Sequence, residues 1–117
     1  MALLSMALTP LSSHIERYMD LLSARQRVTA SNIANAATPG YKTRDIDFQF
    51  EFRSAMDGPP DLVNVPGMKA RNDGNNVNLD RESRMLAENA MRFNAATNLW
   101  KQQARMMRMA IDEGKNG

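Results

Sequence analysis

The chain carries one histidine, His14, and no cysteine. Without thiols there is no disulfide, no Cys-ligated zinc and no thiol nucleophile. A lone imidazole needs partners to ligate or catalyse, and no such partners are spaced around His14. It reads as a solvated residue of a first helical turn. Asp45 and Asp47 come nearest to paired carboxylates. They alternate with Ile46 and Phe48, which makes them the wet side of a strand rather than an acid–base pair. The acidic stretch opening at Asp73 has Gly74 directly after it. An EF-hand needs alternating ligands ahead of its glycine, so this stretch is a turn. Lys101, Arg105 and Arg108 make a basic flank near the chain end, diluted by Asp112 and Glu113. A flank of that kind is a solvated face unless further basic residues gather on it. The expectation is a chain that is not an enzyme, with no catalytic residue, cofactor or metal, no nucleic-acid partner and no small-molecule substrate.

The composition names no partner. A length of 117 residues fits one domain, and 15 basic residues against 13 acidic ones leave a net charge of only +2. Methionine occurs 10 times, against 4 Phe, 2 Tyr and 1 Trp. Methionine fills irregular contacts, so it suits surfaces that meet several neighbours, and it serves in cores equally well. The apolar start, Met1 to Leu8, has no Lys or Arg ahead of it and no small-residue cleavage site. It is also far shorter than the ~20 residues a membrane span needs. A soluble chain that does not use the general export route is expected.

Such side chains must be positioned by helices at the two chain ends. Thr9-Pro10 offers a cap and a favoured first helical residue, and Ser13-His14-Ile15-Glu16 offers a second start. Leu8, Leu11, Ile15, Tyr18 and Leu22 then form one helical stripe, which continues into the polar Arg25, Thr29 and Asn32. Thr38-Pro39-Gly40 stops the helix, predicted over about 9–37. Ile46, Phe48, Phe50 and Phe52 alternate as in a half-buried strand, while Phe48, Phe52 and Met56 also fit a short helix. Residues 57–78 are rich in turn signals, Asp57-Gly58-Pro59-Pro60 and Asn72-Asp73-Gly74-Asn75-Asn76. Within them Leu62-Val63-Asn64-Val65 and Val77-Asn78-Leu79 fit either a small hairpin or irregular loop.

A second helix is predicted over about 79–112, capped by Asn78 or Asp80 and ended by Gly114-Lys115-Asn116-Gly117. Its stripe is Leu86, Ala90, Phe93, Thr97, Trp100, Ala104, Met107 and Ile111, a heptad seam that seeks a helical partner. Met85, Met106 and Met109 widen the apolar face, and Arg84, Glu88 and Arg92 make an outer i,i+4 ladder. The fold class is therefore mainly α. Two long terminal helices form a coiled-coil-like pair, joined by a loop-rich middle (41–78) with room for a short β segment. Periodicity does not distinguish a closed hairpin from helices packed on other subunits.

The run Ala30-Ser31-Asn32-Ile33-Ala34-Asn35-Ala36, followed by Thr38-Pro39-Gly40-Tyr41, resembles the signature of the flagellar basal body rod protein family, which includes rod and hook subunits. Arg25-Gln26-Arg27-Val28 before it and Thr43-Arg44-Asp45-Ile46-Asp47-Phe48 after it resemble a rod subunit of the proximal type. So does Asp73-Gly74-Asn75-Asn76-Val77-Asn78-Leu79-Asp80-Arg81-Glu82 with Leu86-Ala87-Glu88-Asn89. The Val-Glu-Glu-Met type start of the last helix in other rod and hook proteins is missing, and the middle is short beside the family.

The resemblance implies one rod-type subunit, 1–117, exported without a cleaved signal by the flagellar type III apparatus into the periplasmic rod of the basal body. It implies helical assembly with copies of itself, with other rod proteins and with the adaptor on the MS ring. It also implies torque transmission and an export channel inside the tube. The small residues Ala30, Ser31, Ala34, Ala36 and Ala37, with Asn32 and Asn35, are then expected at an assembly interface. A small helical-hairpin adaptor or chaperone of the export system is the alternative.

Overall fold

The computed structural model describes residues 2–54 and 58–116, and side chains at 10–54 and 58–115. The Leu8 side chain, Met56, Asp57 and Gly117, on which parts of the expected elements rest, lie outside this set. The order of elements is α1 (Ala2–Ala34), β1 (Arg44–Ile46), α2 (Phe48–Arg53), β2 (Leu62–Asn64) and α3 (Leu79–Asn116). The molecule is a rod of 71 × 25 × 18 Å, in which α1 and α3 run antiparallel along the long axis. The mainly α class with a small two-stranded sheet is as expected.

The helix bounds differ at both chain ends. α1 starts at Ala2 and runs through Pro10 rather than beginning there. Ala, Leu and Met before Pro10 are strong helix formers, and proline removes only one hydrogen bond from the continuing helix. α3 likewise passes Gly114 and ends at Asn116, since one glycine weakens a helix without breaking it. At its other end α1 tightens: Ala36 N–H reaches Ile33 O at 3.1 Å and Thr38 N–H reaches Asn35 O at 3.1 Å, ahead of Gly40 at φ +74°.

The middle resolves into both of the alternatives that its alternation allowed. Asp47 accepts a hydrogen bond from Phe50 N–H and starts a helix, so β1 is only three residues long. The resulting α2 aims Phe48 and Phe52 at Tyr18, edge to face at 5.4 and 5.9 Å. β2 pairs antiparallel with β1, Arg44 opposite Asn64 and Ile46 opposite Leu62. The hairpin of 62–65 with 77–79 does not form. Asn75 Oδ1 takes Val77 N–H at 2.8 Å and Asn78 Oδ1 takes Arg81 N–H at 3.1 Å, which commits that segment to the start of α3.

The apolar core is small and lies where α1 meets the middle segment. Ala24, Val28 and Ile46 form one cluster, and Leu21 and Leu22 are fully enclosed. Toward α3, the α1 stripe contributes Ile15, Leu22, Thr29 and Asn32, all buried, so its predicted turn from apolar to polar is also the course of the contact.

Candidate functional site: a polar joint and a bare helical face

The two stretches that carry the family resemblance meet in space. The left-handed Gly40 donates its N–H to Asp73 O at 2.8 Å, and a Cβ on Gly74 (φ +84°) would lie 3.4 Å from Gly40 Cα. Both positions favour glycine for their left-handed backbone, and the approach of the two is ordinary van der Waals contact. The side chain of Asn75 is fully buried beneath this contact. Its Nδ2 donates to Asn35 O at 2.9 Å and Thr38 O at 2.8 Å, a second hydrogen bond at each of these carbonyls past the end of α1, which also accept Thr38 N–H and Tyr41 N–H. Arg71 adds a hydrogen bond to Ala36 O, and Lys42 one to Gly74 O. Beside it Asn76 accepts from Thr43 N–H at 2.6 Å and donates its own N–H to Tyr41 O at 3.2 Å.

Asn32 is the centre of a second set. Its Nδ2 donates to Arg44 O at 2.8 Å and to Glu82 Oε2 at 3.1 Å. Its Oδ1 accepts from Tyr41 Oη at 2.9 Å and from Arg44 N–H at 3.2 Å. All four capacities of the amide are used within the chain. Glu82, fully buried, also accepts from Arg81 at 2.7 Å, and Arg81 reaches Asp45 at 2.9 Å. Asp45 is gripped from the other side by Arg25, through two hydrogen bonds of 2.8 and 3.0 Å. Burial alone would raise the Asp45 carboxyl. The Arg25 hydrogen bonds, the Ile46 N–H, the Arg25 charge and the Arg81 hydrogen bond outweigh it and hold the group below the usual aspartate range.

Several sequence expectations change here. Asp45 is not on the wet side of a strand. β1 is covered on both faces, so Asp45 and Ile46 are both buried. Asn32 and the backbone around Asn35 bind their own chain, and the Asn35 side chain bonds Ser31 O and Thr38 Oγ1. Tyr41 is half-buried in the same joint, with Ile33 and Ala36 half-buried nearby. Ala30, Ser31, Ala34, Thr38, Pro39 and Gly40 are exposed. The joint of Arg25, Asp45, Arg81 and Glu82 escaped sequence reading, because its charges are far apart in the chain and follow no period. Their only sequence sign is that all four fall inside the resembling stretches.

The heptad seam of α3 flanks the α1 contact without being its centre, and Ala90 and Phe93 border a groove with Leu22, Ser23 and Gln26. The residues facing α1 are Glu82, Asn89, Ala96, Gln103 and Ala110, seven apart and all buried. The predicted seam lies on the neighbouring flank. Ala90, Phe93, Trp100 and Ile111 are exposed, and Leu86, Thr97, Ala104 and Met107 are half-buried. Met91, Leu99, Met106 and Met109 add exposed apolar surface on other sides of the helix.

His14 lies exposed with Nδ1 2.7 Å from Pro10 O. Among the described residues no group of three or more His, Cys, Asp or Glu side chains is placed to hold a metal ion. No helix among them is long and apolar enough to cross a membrane.

Comparison with known proteins follows this geometry. A family described as "Flagella basal body rod protein" matches residues 19–42, the last part of α1 with the Pro-Gly stop and Tyr41. The flagellar basal body rod protein FlgB of Borrelia hermsii is 33% identical over 110 residues, covering 71% of this chain and 82% of the relative. FlgB of Salmonella typhimurium is 32% identical over 101 residues, covering 64% and 73%. FlgB of Escherichia coli K12 is 29% identical over 122 residues, covering 82% and 88%. With its signature folded into one joint and its similarity running along most of the chain, this protein belongs to the flagellar basal body rod protein FlgB family.

Proposed function

We propose that the chain is a structural subunit of the proximal rod of the bacterial flagellum. It assembles helically with its own copies and with other rod proteins, and links the MS ring and its adaptor to the rest of the rod. The observation that carries this reading is the partly exposed seam on α3. Phe93, Trp100 and Ile111 are 36%, 39% and 54% exposed on one flank of a helix whose inner face is already occupied. A heptad row of that kind is left for further helices. Ala30 and Ala34 of α1 are exposed and small, so a neighbouring helix can come close beside them. Contacts that do not close on themselves produce a tube. Such a tube would carry torque along its wall and later export substrates through its lumen. The chain would reach the periplasm through the flagellar type III apparatus without a cleaved signal.

The deciding experiment is an immunoblot of detergent-extracted, purified basal bodies washed in high salt. Retention of the protein supports a built-in rod subunit. Absence from basal bodies, with the protein soluble in the cytoplasm, overturns the proposal in favour of an adaptor or chaperone of the export system.

A further inference from the structure

The two-stranded sheet can grow on one side only. Arg44 stands opposite Asn64, Asp45 opposite Val63 and Ile46 opposite Leu62, and Val65 N–H bonds Thr43 O at 3.1 Å. In this antiparallel register the backbone groups of Asp45 face β2, and those of Arg44 and Ile46 point the other way. That outer side of β1 is closed. Asn32 accepts from Arg44 N–H at 3.2 Å and donates to Arg44 O at 2.8 Å, and Asp45 Oδ1 takes Ile46 N–H at 2.7 Å. By the same alternation, the N–H and C=O groups of Leu62 and Asn64 point away from β1. Among the described residues nothing hydrogen-bonds to them, and all of β2 is exposed. The approach to β2 is held in place. Asp61 N–H donates to the buried Glu51 at 3.1 Å, and Arg17 donates to Gly58 O at 2.8 Å. β2 is therefore a fixed edge whose outward donors and acceptors face water.

Beside the edge lies a groove of about 420 Å³, between Arg27 and Ser31 of α1 on one wall and Arg44, Pro60 and Leu62 on the other. Leu62 belongs to both edge and groove. Arg44, Ile46, Leu62 and Asn64 share one face of the sheet, and the cluster of Ile46 with Ala24 and Val28 marks it as the face toward α1. A strand laid along β2 would turn alternate side chains to this same face, over the groove. Arg27 and Arg44 are exposed there. Among the described residues no carboxylate lines the groove, and neither arginine makes an ion pair. A polypeptide backbone supplies the alternating donors and acceptors that match the edge, and two arginines in a groove without acids select acidic side chains. We propose that the outer edge of β2, with the groove between it and α1, is a docking site for an extended acidic segment of a partner protein, which joins the sheet as a third strand. Pro60 and Pro66 bound the edge, so the added strand pairs with the 3 residues of β2 and the arginines supply much of its hold. The proposal stands on the edge and the groove and does not depend on the rod assignment.

The test titrates the full, isotope-labelled chain at low salt with a synthetic peptide of about ten residues that alternates Glu and Thr, read by nuclear magnetic resonance. Saturable shifts of the Leu62 and Asn64 amide signals are expected, and a peptide with Lys in place of every Glu should produce none. Asn64→Pro removes an outward N–H without touching the ladder to β1, and Arg27→Gln with Arg44→Gln removes the groove's charge. Each change is expected to weaken binding about fivefold or more. No saturable shift at Leu62 and Asn64, equal binding of the Lys peptide, or unchanged affinity in either folded variant overturns the proposal. Shifts of the same amides with protein concentration alone would give the edge to a second copy and overturn it too. If circular dichroism shows one variant unfolded, the other decides by the same titration.

Discussion

At the scale of residues, Asn32, Asn35 and Tyr41 of the signature bind inside the subunit, while Ala30, Ser31 and Ala34 are exposed. Asn75 ties the end of α1 to the entry of α3 through bonds to Asn35 O, Thr38 O and Val77 N–H. Asn75→Ala strands the Val77 N–H and removes one of two hydrogen bonds at Asn35 O and at Thr38 O, so a loss of roughly 1–3 kcal/mol in unfolding free energy is expected, measured by urea denaturation. A loss below about 0.5 kcal/mol would show that water replaces the amide without difficulty. Asp45 makes a pH prediction. Its carboxyl is held below its ordinary value in the folded chain, so its stabilisation is complete above the unfolded pKa of about 3.9 and fades as the pH falls through the lower folded value. Asp45→Asn leaves Arg25 and Arg81 poorly matched in a half-buried site and costs about 3 kcal/mol at neutral pH. Below pH about 4 the gap between variant and wild type narrows, because the wild type loses what the variant never had. Denaturation midpoints at pH 7 and pH 3 check the sign, and a gap that widened in acid would contradict it.

At the scale of elements, α1 and α3 divide their faces between internal and external work. α1 is enclosed on one side by α3 and on the other by β1 and α2, with Tyr18 seated against Phe48 and Phe52. α3 has α1 on one side only, and Trp100 stands 39% exposed on its bare flank. In intact rods Trp100 is expected to be shielded, with acrylamide quenching well below that of the isolated chain. Equal quenching in both states would remove the seam from the assembly contact. The same division makes the helix ends uneven. Past the Ser12–Gln103 hydrogen bond, α1 extends back to Ala2 and α3 forward to Asn116.

For the whole molecule, the apolar cluster among the described residues, Ala24, Val28 and Ile46, is short beside a rod 71 Å long. Stability should be graded along the long axis. In the isolated chain, amide hydrogen exchange is expected to be slowest at the joint, at Arg44, Ile46 and Val77, and fastest in 2–10 and 105–116. On assembly the ends should gain protection by at least tenfold. Uniform protection along both helices of the free subunit would mean that the hairpin is complete by itself, and would favour an adaptor.

Local chemistry was legible in the order of residues. The two long helices, the stop at Thr38-Pro39-Gly40 and the polar turn of the α1 stripe at Thr29 and Asn32 follow from period and from the conformational limits of Pro and Gly. So did the family, because its signature is a contiguous run. The heptad seam was legible as a seam, and its direction was not. Period shows which residues share a face and says nothing of which partner the face meets. The buried Asp45, the pairing of β2 with β1 and the meeting of Asn32 with Glu82 were decided by tertiary structure alone. Each joins groups 16 to 50 positions apart, and the partner of a buried charge depends on which surfaces the fold brings together.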